Sequence, residues 1–285
     1  MALLFFSTVL LVASFNVNKL YQQSSGTLKA SIWFNALLGL FASVSFLLMN
    51  GFRLETNSFS FFMSALSGIF VILHTLCGFR IISIGRTSLY TMFVMAGGML
   101  LPYTWGIVVL NETFYTLHLI GLSLILISMA LFNMIEGGFR KDLLIPCVLA
   151  FLFNGIVGIV TKEHQISSRA VSSMDFVIMS NLVKLAVCSA ILLFLNKTAG
   201  SPKKQTVSRR QVLLIFLSAI TSGLSYLAGL VCAKTLPASL YSPLQTGGTI
   251  LLSAMTGRVF FAEKLTHKDY AALALCLIGT CLFIK

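Results

Sequence analysis

Apolar segments of about 18 to 24 residues recur along the entire chain, and each matches the length a helix needs to cross ~30 Å of hydrocarbon. A backbone in lipid must pair its N–H and C=O groups internally, and these runs lack the weak alternation of barrel strands, so the segments are helices. Ten are expected, at roughly Met1–Asn18, Ala30–Met49, Phe59–Phe79, Thr87–Leu110, Phe114–Met134, Leu143–Thr161, Ser172–Leu195, Gln211–Ala233, Ala238–Phe261 and Tyr270–Ile284. Composition agrees: 57% of the 285 residues are hydrophobic, 10% are charged and the mean hydropathy is +0.94, which excludes a soluble domain of this size. The connections are short and leave no soluble domain or low-complexity linker. The first run has no basic residue ahead of it and no small-x-small cleavage site after it, so it is expected to be a retained helix. The expected fold class is an all-α integral membrane protein.

The six cysteines, Cys77, Cys147, Cys188, Cys232, Cys276 and Cys281, fall inside expected spans with no CxxC or Cys/His cluster. They read as small packing residues, with no disulfide framework, metal site or cofactor motif. The formal charge of +12 mostly counts loop lysines and arginines beside lipid headgroups, so the partner it implies is the bilayer and not nucleic acid.

The chain repeats itself. With a shift of 151 residues, "SLYTMFVMAGGMLLPYTWGIVVLNE" from Ser88 falls on "SLYSPLQTGGTILLSAMTGRVFFAE" from Ser239, and 15 of 45 positions are identical over residues 88–132. The matches Tyr90/Tyr241, Gly97/Gly248, Gly106/Gly257 and Glu112/Glu263 are less easily dismissed than shared leucines, and upstream Gly78 meets Gly229. A second echo, at a shift of 143, pairs "KLYQQSS" from Lys19 with "KEHQISS" from Lys162. Two copies of a five-helix unit are expected, over residues 1–138 and 139–285. Five is odd, so the second copy enters the membrane upside down. Inverted repeats of this kind mark secondary transporters, whose site lies near the midplane between the halves; a duplicated bundle that merely packs is the bland alternative.

Gly106-x5-Glu112 followed by "TFYTLHLIGLSLILISMALF", and Gly257-x5-Glu263 followed by "KLTHKDYAALALCLIGTCLF", resemble the turn and closing helix of the drug/metabolite transporter superfamily in its ten-helix EamA-like form. "GLSYLAGLVCAKTLPASL", with Tyr226, resembles that family's eighth helix and following turn. The resemblance implies alternating access, with helices one to four and six to nine around a central cavity and five and ten at the periphery. Where the family usually has glycine before the turn glutamate, this chain has Asn111 and Ala262. The related small multidrug exporters use a glutamate buried in the first helix, and this first helix offers only Asn16 and Asn18. The family places basic residues on the side of the N-terminus, whereas here that side carries five (Arg53, Lys162, Arg169, Lys234, Lys285) and the other fourteen. By the positive-inside rule both termini would lie outside; the resemblance implies the reverse, and the orientation is left open.

All eight acidic residues fall in expected loops or near span ends, which argues against a carboxylate-based exchange of protons for cations. Lys184 lies about 12 residues from either end of its span, roughly 18 Å along the helix. Its stem reaches only about 6 Å, so snorkelling is no easy escape. A central lysine costs about 2.5–3.5 kcal/mol even on insertion scales and should face the interior or a wet cavity. Asn181 and Cys188 share its face. The ammonium there would meet a carboxylate, phosphate or carbonyl of a solute; the alternative is a lysine bound to the carbonyls of broken helices. His74, expected to be the lone intramembrane histidine, is either a titrating group or a hydrogen-bonding one. Asn35 with Asn181, Tyr90 with Tyr241, Tyr226, and Gln245 beside Pro243 complete the candidate substrate-binding residues, though such groups also tie helices together. Pro102 and Pro243 near paired glycines suit either bending or tight packing. Glu112 and Glu263 are expected to cap the starts of helices five and ten, where a carboxylate meets the positive end of the dipole.

The expected function is secondary transport, with a small polar metabolite that is neutral, zwitterionic or anionic as partner and a coupling ion left open. A broad exporter of lipophilic compounds, a non-transporting scaffold and an intramembrane enzyme are the rivals. The enzyme would need a clustered His/Asp/Ser or metal constellation, and His118, His164 and His267 sit singly at expected helix ends. A homodimer is compatible with such a bundle, and a bacterial plasma membrane is the expected location.

Overall fold

The computed structural model describes residues 1–22, 28–82, 87–132, 143–198, 208–262 and 266–284. Ten helices run through them: α1 (Ala2–Gln22), α2 (Leu28–Met49), α3 (Ser58–Ile82), α4 (Thr87–Val108), α5 (Thr116–Phe132), α6 (Leu144–Ile166), α7 (Ser173–Thr198), α8 (Arg209–Thr235), α9 (Ala238–Phe261) and α10 (His267–Cys281). No strand occurs among the described residues. Seven of the helices are long and apolar enough to cross a membrane, and the Thr116–Leu131 stretch of α5 is a shorter apolar helix. The chain is thus a multi-pass integral membrane protein. The boundary expected between residues 138 and 139 lies outside the described residues, as do Glu136, Asp142 and Glu263.

Helices five places apart in chain order take equivalent partners. α1 packs mainly on α8 as α6 packs on α3, while α2 meets α7, α4 meets α9 and α5 meets α10 along shared faces. The matched residues of the sequence repeat sit in matched contacts. A Cβ on Gly78 would run into the ring of Tyr90, and one on Gly229 would run into the hydroxyl of Tyr241. Gly97 lies against the backbone of Phe151 and Gly248 against the side chain of Thr8. Phe151 follows Thr8 by 143 residues, the offset that also relates Lys162 to Lys19. α5 and α10 stand at the edge and approach closely where Gly121 and Gly279 face each other's carbonyls.

The glycines beside Pro102 serve close approach. Gly97 and Gly98 on α4 meet Phe151 and Asn154, while Gly155 and Gly158 on α6 accept Leu101 and Pro102, the small-residue packing that replaces hydrophobic drive in lipid. The turn before each repeat glutamate has a common geometry: Asn111 has φ 53 and Ala262 φ 51. Both are left-handed, which explains why the resembling family uses glycine there; asparagine tolerates the region and alanine pays about 1 kcal/mol.

Candidate functional site

The end of the bundle that carries the α2–α3, α4–α5, α6–α7 and α8–α9 turns is tied across by side chains. Asn50 donates to Asp175 at 2.9 Å, Asn57 to the Arg169 carbonyl at 2.8 Å, and Trp105 Nε1 to Glu163 at 2.6 Å. The carboxylate of Glu112 accepts the backbone N–H groups of Ala238 at 2.6 Å and Ser239 at 2.8 Å. Glu112 therefore caps α9 and not α5, the helix that follows it in sequence. The dipole argument holds, but in a bundle the nearest positive helix end belongs to a non-sequential neighbour.

Lys162 corrects a second expectation. α6 continues past Thr161 to Ile166, so this lysine is buried inside the protein at 7% exposure and does not lie among headgroups. Its ammonium donates to the carbonyls of Ala233 at 2.9 Å and Leu236 at 2.6 Å, where α8 ends, and stands 4.0 Å from Glu112 Oε1. The role of a lysine bound to the carbonyls of a helix end, considered for Lys184, belongs to Lys162. His164 lies in the last turn of α6, the helix end expected for it, and is fully buried there, stacked on Phe176 with centroids 4.1 Å apart and paired with Ser60 at 3.0 Å.

Mid-bundle, the sequence-derived candidates assemble differently. On α7, Lys184 Nζ donates to Asn181 Oδ1 at 3.2 Å, and Asn181 is fixed by donating to the Val177 carbonyl at 2.8 Å. No backbone carbonyl meets this ammonium among the described residues, so of its three donors one has a protein partner. α3, which carries His74, packs against α7 at this level, where Ile72 and Leu76 share an apolar cluster with Leu185 and Cys188. His74 Nδ1 lies 3.0 Å from the hydroxyl of Tyr90 on α4, with the rings stacked 6.5 Å apart. Gly78 leaves room for that ring.

Two turns along α3 from His74, Ser67 meets the Tyr226 hydroxyl at 3.3 Å, and Thr161 of α6 meets the same hydroxyl at 3.2 Å. Tyr226 of α8 thus joins three helices. The Tyr241 hydroxyl, Ser7 and Gln245 converge on the space beside Gly229, and Gln245 Nε2 donates to Ser7 at 3.3 Å; Ser7 and Ser225 exchange hydroxyl-to-carbonyl bonds at 2.9 and 2.7 Å between α1 and α8. Lys184, His74, Tyr90, Tyr226, Tyr241 and Gln245 all remain partly exposed. Asn35, like Asn181, bonds within its own helix: its amide donates to the Ser31 carbonyl at 2.9 Å. Sequence reasoning missed Ser7, Ser67, Thr161 and Lys162; the first three carry no charge and no pattern, while the "KEHQISS" echo of "KLYQQSS" did mark the place of Lys162.

The surface hollow at the α6–α7 turn, lined by Gln165, Ser172, Ser173 and Lys234, lies apart from this group. It belongs to the tied end, where Ser173 donates to Gln165 at 2.7 Å. No group of three or more His, Cys, Asp or Glu side chains suited to a metal occurs among the described residues.

Comparison with known proteins completes the picture. The model of the EamA-like transporter family matches residues 143–285. A protein of known crystal structure superposes with a TM-score of 0.76 over 98% of this chain and 94% of that one, at 14% identity, a likeness of fold alone. No curated protein matches.

Proposed function

Since the chain belongs to the EamA-like transporter family and is therefore a membrane transporter of the drug/metabolite type, we propose that it moves a small polar solute bearing negative charge by alternating access. The two five-helix units, 1–138 and 139–285, rock about a site between them. One observation carries the choice of solute: Lys184 stands mid-span with donors that no described protein group takes up, beside a histidine, two tyrosine-based hydrogen-bond networks and no carboxylate. A carboxylate or phosphate would take those donors. Tyr90, Tyr226, Gln245 and Asn181, each already held by a partner and so pre-ordered, then orient it with Tyr241. Asn35 contributes a wall position. With no nucleotide-binding loop in the sequence, gradients or exchange supply direction, and a bacterial plasma membrane is the proposed location.

The broad-exporter reading has Lys184 as architecture. Melting of the purified wild type and Lys184→Met with carboxylates, phosphates, sugars, amino acids and lipophilic cations separates the two. At 100 times its dissociation constant a ligand stabilises by about 2.7 kcal/mol. Carboxylates or phosphates are expected to shift the wild type only. Equal shifts of both proteins by lipophilic cations, with none from anions, would sink this reading.

A further inference from the structure

The reading of Lys184 as a solute contact leaves His74 without a task, although its helix packs on α7 at the level of that ammonium, with Ile72 and Leu76 clustered against Leu185 and Cys188. The groups around it are few. From α4 comes the Tyr90 hydroxyl, and from α7 Lys184, with Cys188 beside the lysine. On its own helix Cys77 lies near Tyr90. α6 presents Phe153 to Phe70 one turn away, and α8 presents Tyr226 to Ser67. No carboxylate is among them. When Nδ1–H donates to Tyr90, the Nε2 lone pair has no partner among the described residues. Two protonated bases side by side would repel each other in a site without a counter-charge, and a bound anion removes that cost one negative charge at a time.

We propose that His74 and Lys184 form a proton-coupling site: a singly negative solute neutralises Lys184 alone, whereas a doubly negative solute is carried together with one proton, bound at His74 Nε2. Either loaded site is electrically neutral. The proton comes from water on the loading side and leaves with the solute on the other. Because linkage is reciprocal, dianion affinity rises as pH falls across the window in which His74 gains its proton only when loaded.

Sodium sulfate is a suitable probe, being a dianion that does not itself titrate between about pH 5.5 and 8, where histidines do. Isothermal titration of the purified protein in buffers of differing ionisation heat counts the protons taken up per sulfate bound. About one is expected for the wild type, with affinity changing up to tenfold per pH unit. His74→Gln should bind sulfate more weakly, take up no proton and lose the pH slope, while Lys184→Met should not bind it. His74→Asn serves if the glutamine variant melts early, and the wild-type count needs no variant. Sulfate bound without proton uptake, uptake unchanged in His74→Gln, or no sulfate binding at all overturns the coupling. The first two results, with binding still lost in Lys184→Met, leave the Lys184 reading standing; the metabolite panel tests that reading without sulfate.

Discussion

Two lysines sit inside this protein, and their surroundings are opposite. Lys162 is held at the tied end by two carbonyls and faces a carboxylate that itself caps α9. Lys184, midway along α7, has one amide oxygen at 3.2 Å. A buried ammonium held by two carbonyls with a carboxylate close by is fastening helices, since the protein has already compensated its desolvation. One left with open donors at mid-membrane is compensated only when something else arrives. The difference in partners, not in residue type or depth, separates architecture from a binding site.

The largest expected effect falls at the first lysine. Glu112→Ala removes the counter-charge from Lys162 and uncaps two N–H groups of α9, and should cost about 3 kcal/mol, the lower end for broken buried pairs, read as denaturant or thermal unfolding in detergent. A loss below ~1 kcal/mol would mean that the cluster is not a fastening. Next come Gly78→Ala and Gly229→Ala, which drive a methyl into Tyr90 and Tyr241. Each should cost about 1–3 kcal/mol through overpacking, and Gly78→Ala should also weaken anion binding by moving Tyr90 off His74; unchanged binding would detach that tyrosine from the site.

How much of this could be read from sequence follows the same division. The ten helices were legible, because apolar run length is a property of one segment, and Lys184 stood out as a misplaced charge in one; the edge position of α5 and α10 came only through the resemblance. Lys162 and Glu112 were misassigned because their meaning is in their partners. "KEHQ" reads as a loop, yet α6 runs on through it because Glu112, the α8 end, Ser60 and Ser173 satisfy those side chains from other helices. Asn35 and Asn181 looked alike in sequence, but only Asn181 meets Lys184.

A smaller effect of opposite sign is expected at the left-handed turn residue. Ala262→Gly relieves φ 51 and should stabilise by about 0.5–1 kcal/mol, whereas Asn111→Gly should gain less, because asparagine already tolerates that region; equal gains would undo the distinction. The smallest change in stability belongs to Lys184→Met. Exchanging a sparsely paired ammonium for an apolar chain should leave unfolding within ~1 kcal/mol of the wild type or raise it, while Lys162→Met lowers it.

The central claim is tested most directly by solute flux. Proteoliposomes containing wild type, Lys184→Met or Lys184→Arg would be assayed for exchange of the radiolabelled anion that the melting panel selects, each variant first shown to melt like the wild type. Flux is expected to vanish in Lys184→Met and to survive in part in Lys184→Arg, which keeps the charge with a different shape. Wild-type flux through Lys184→Met would contradict the account, and would place both lysines on the side of architecture.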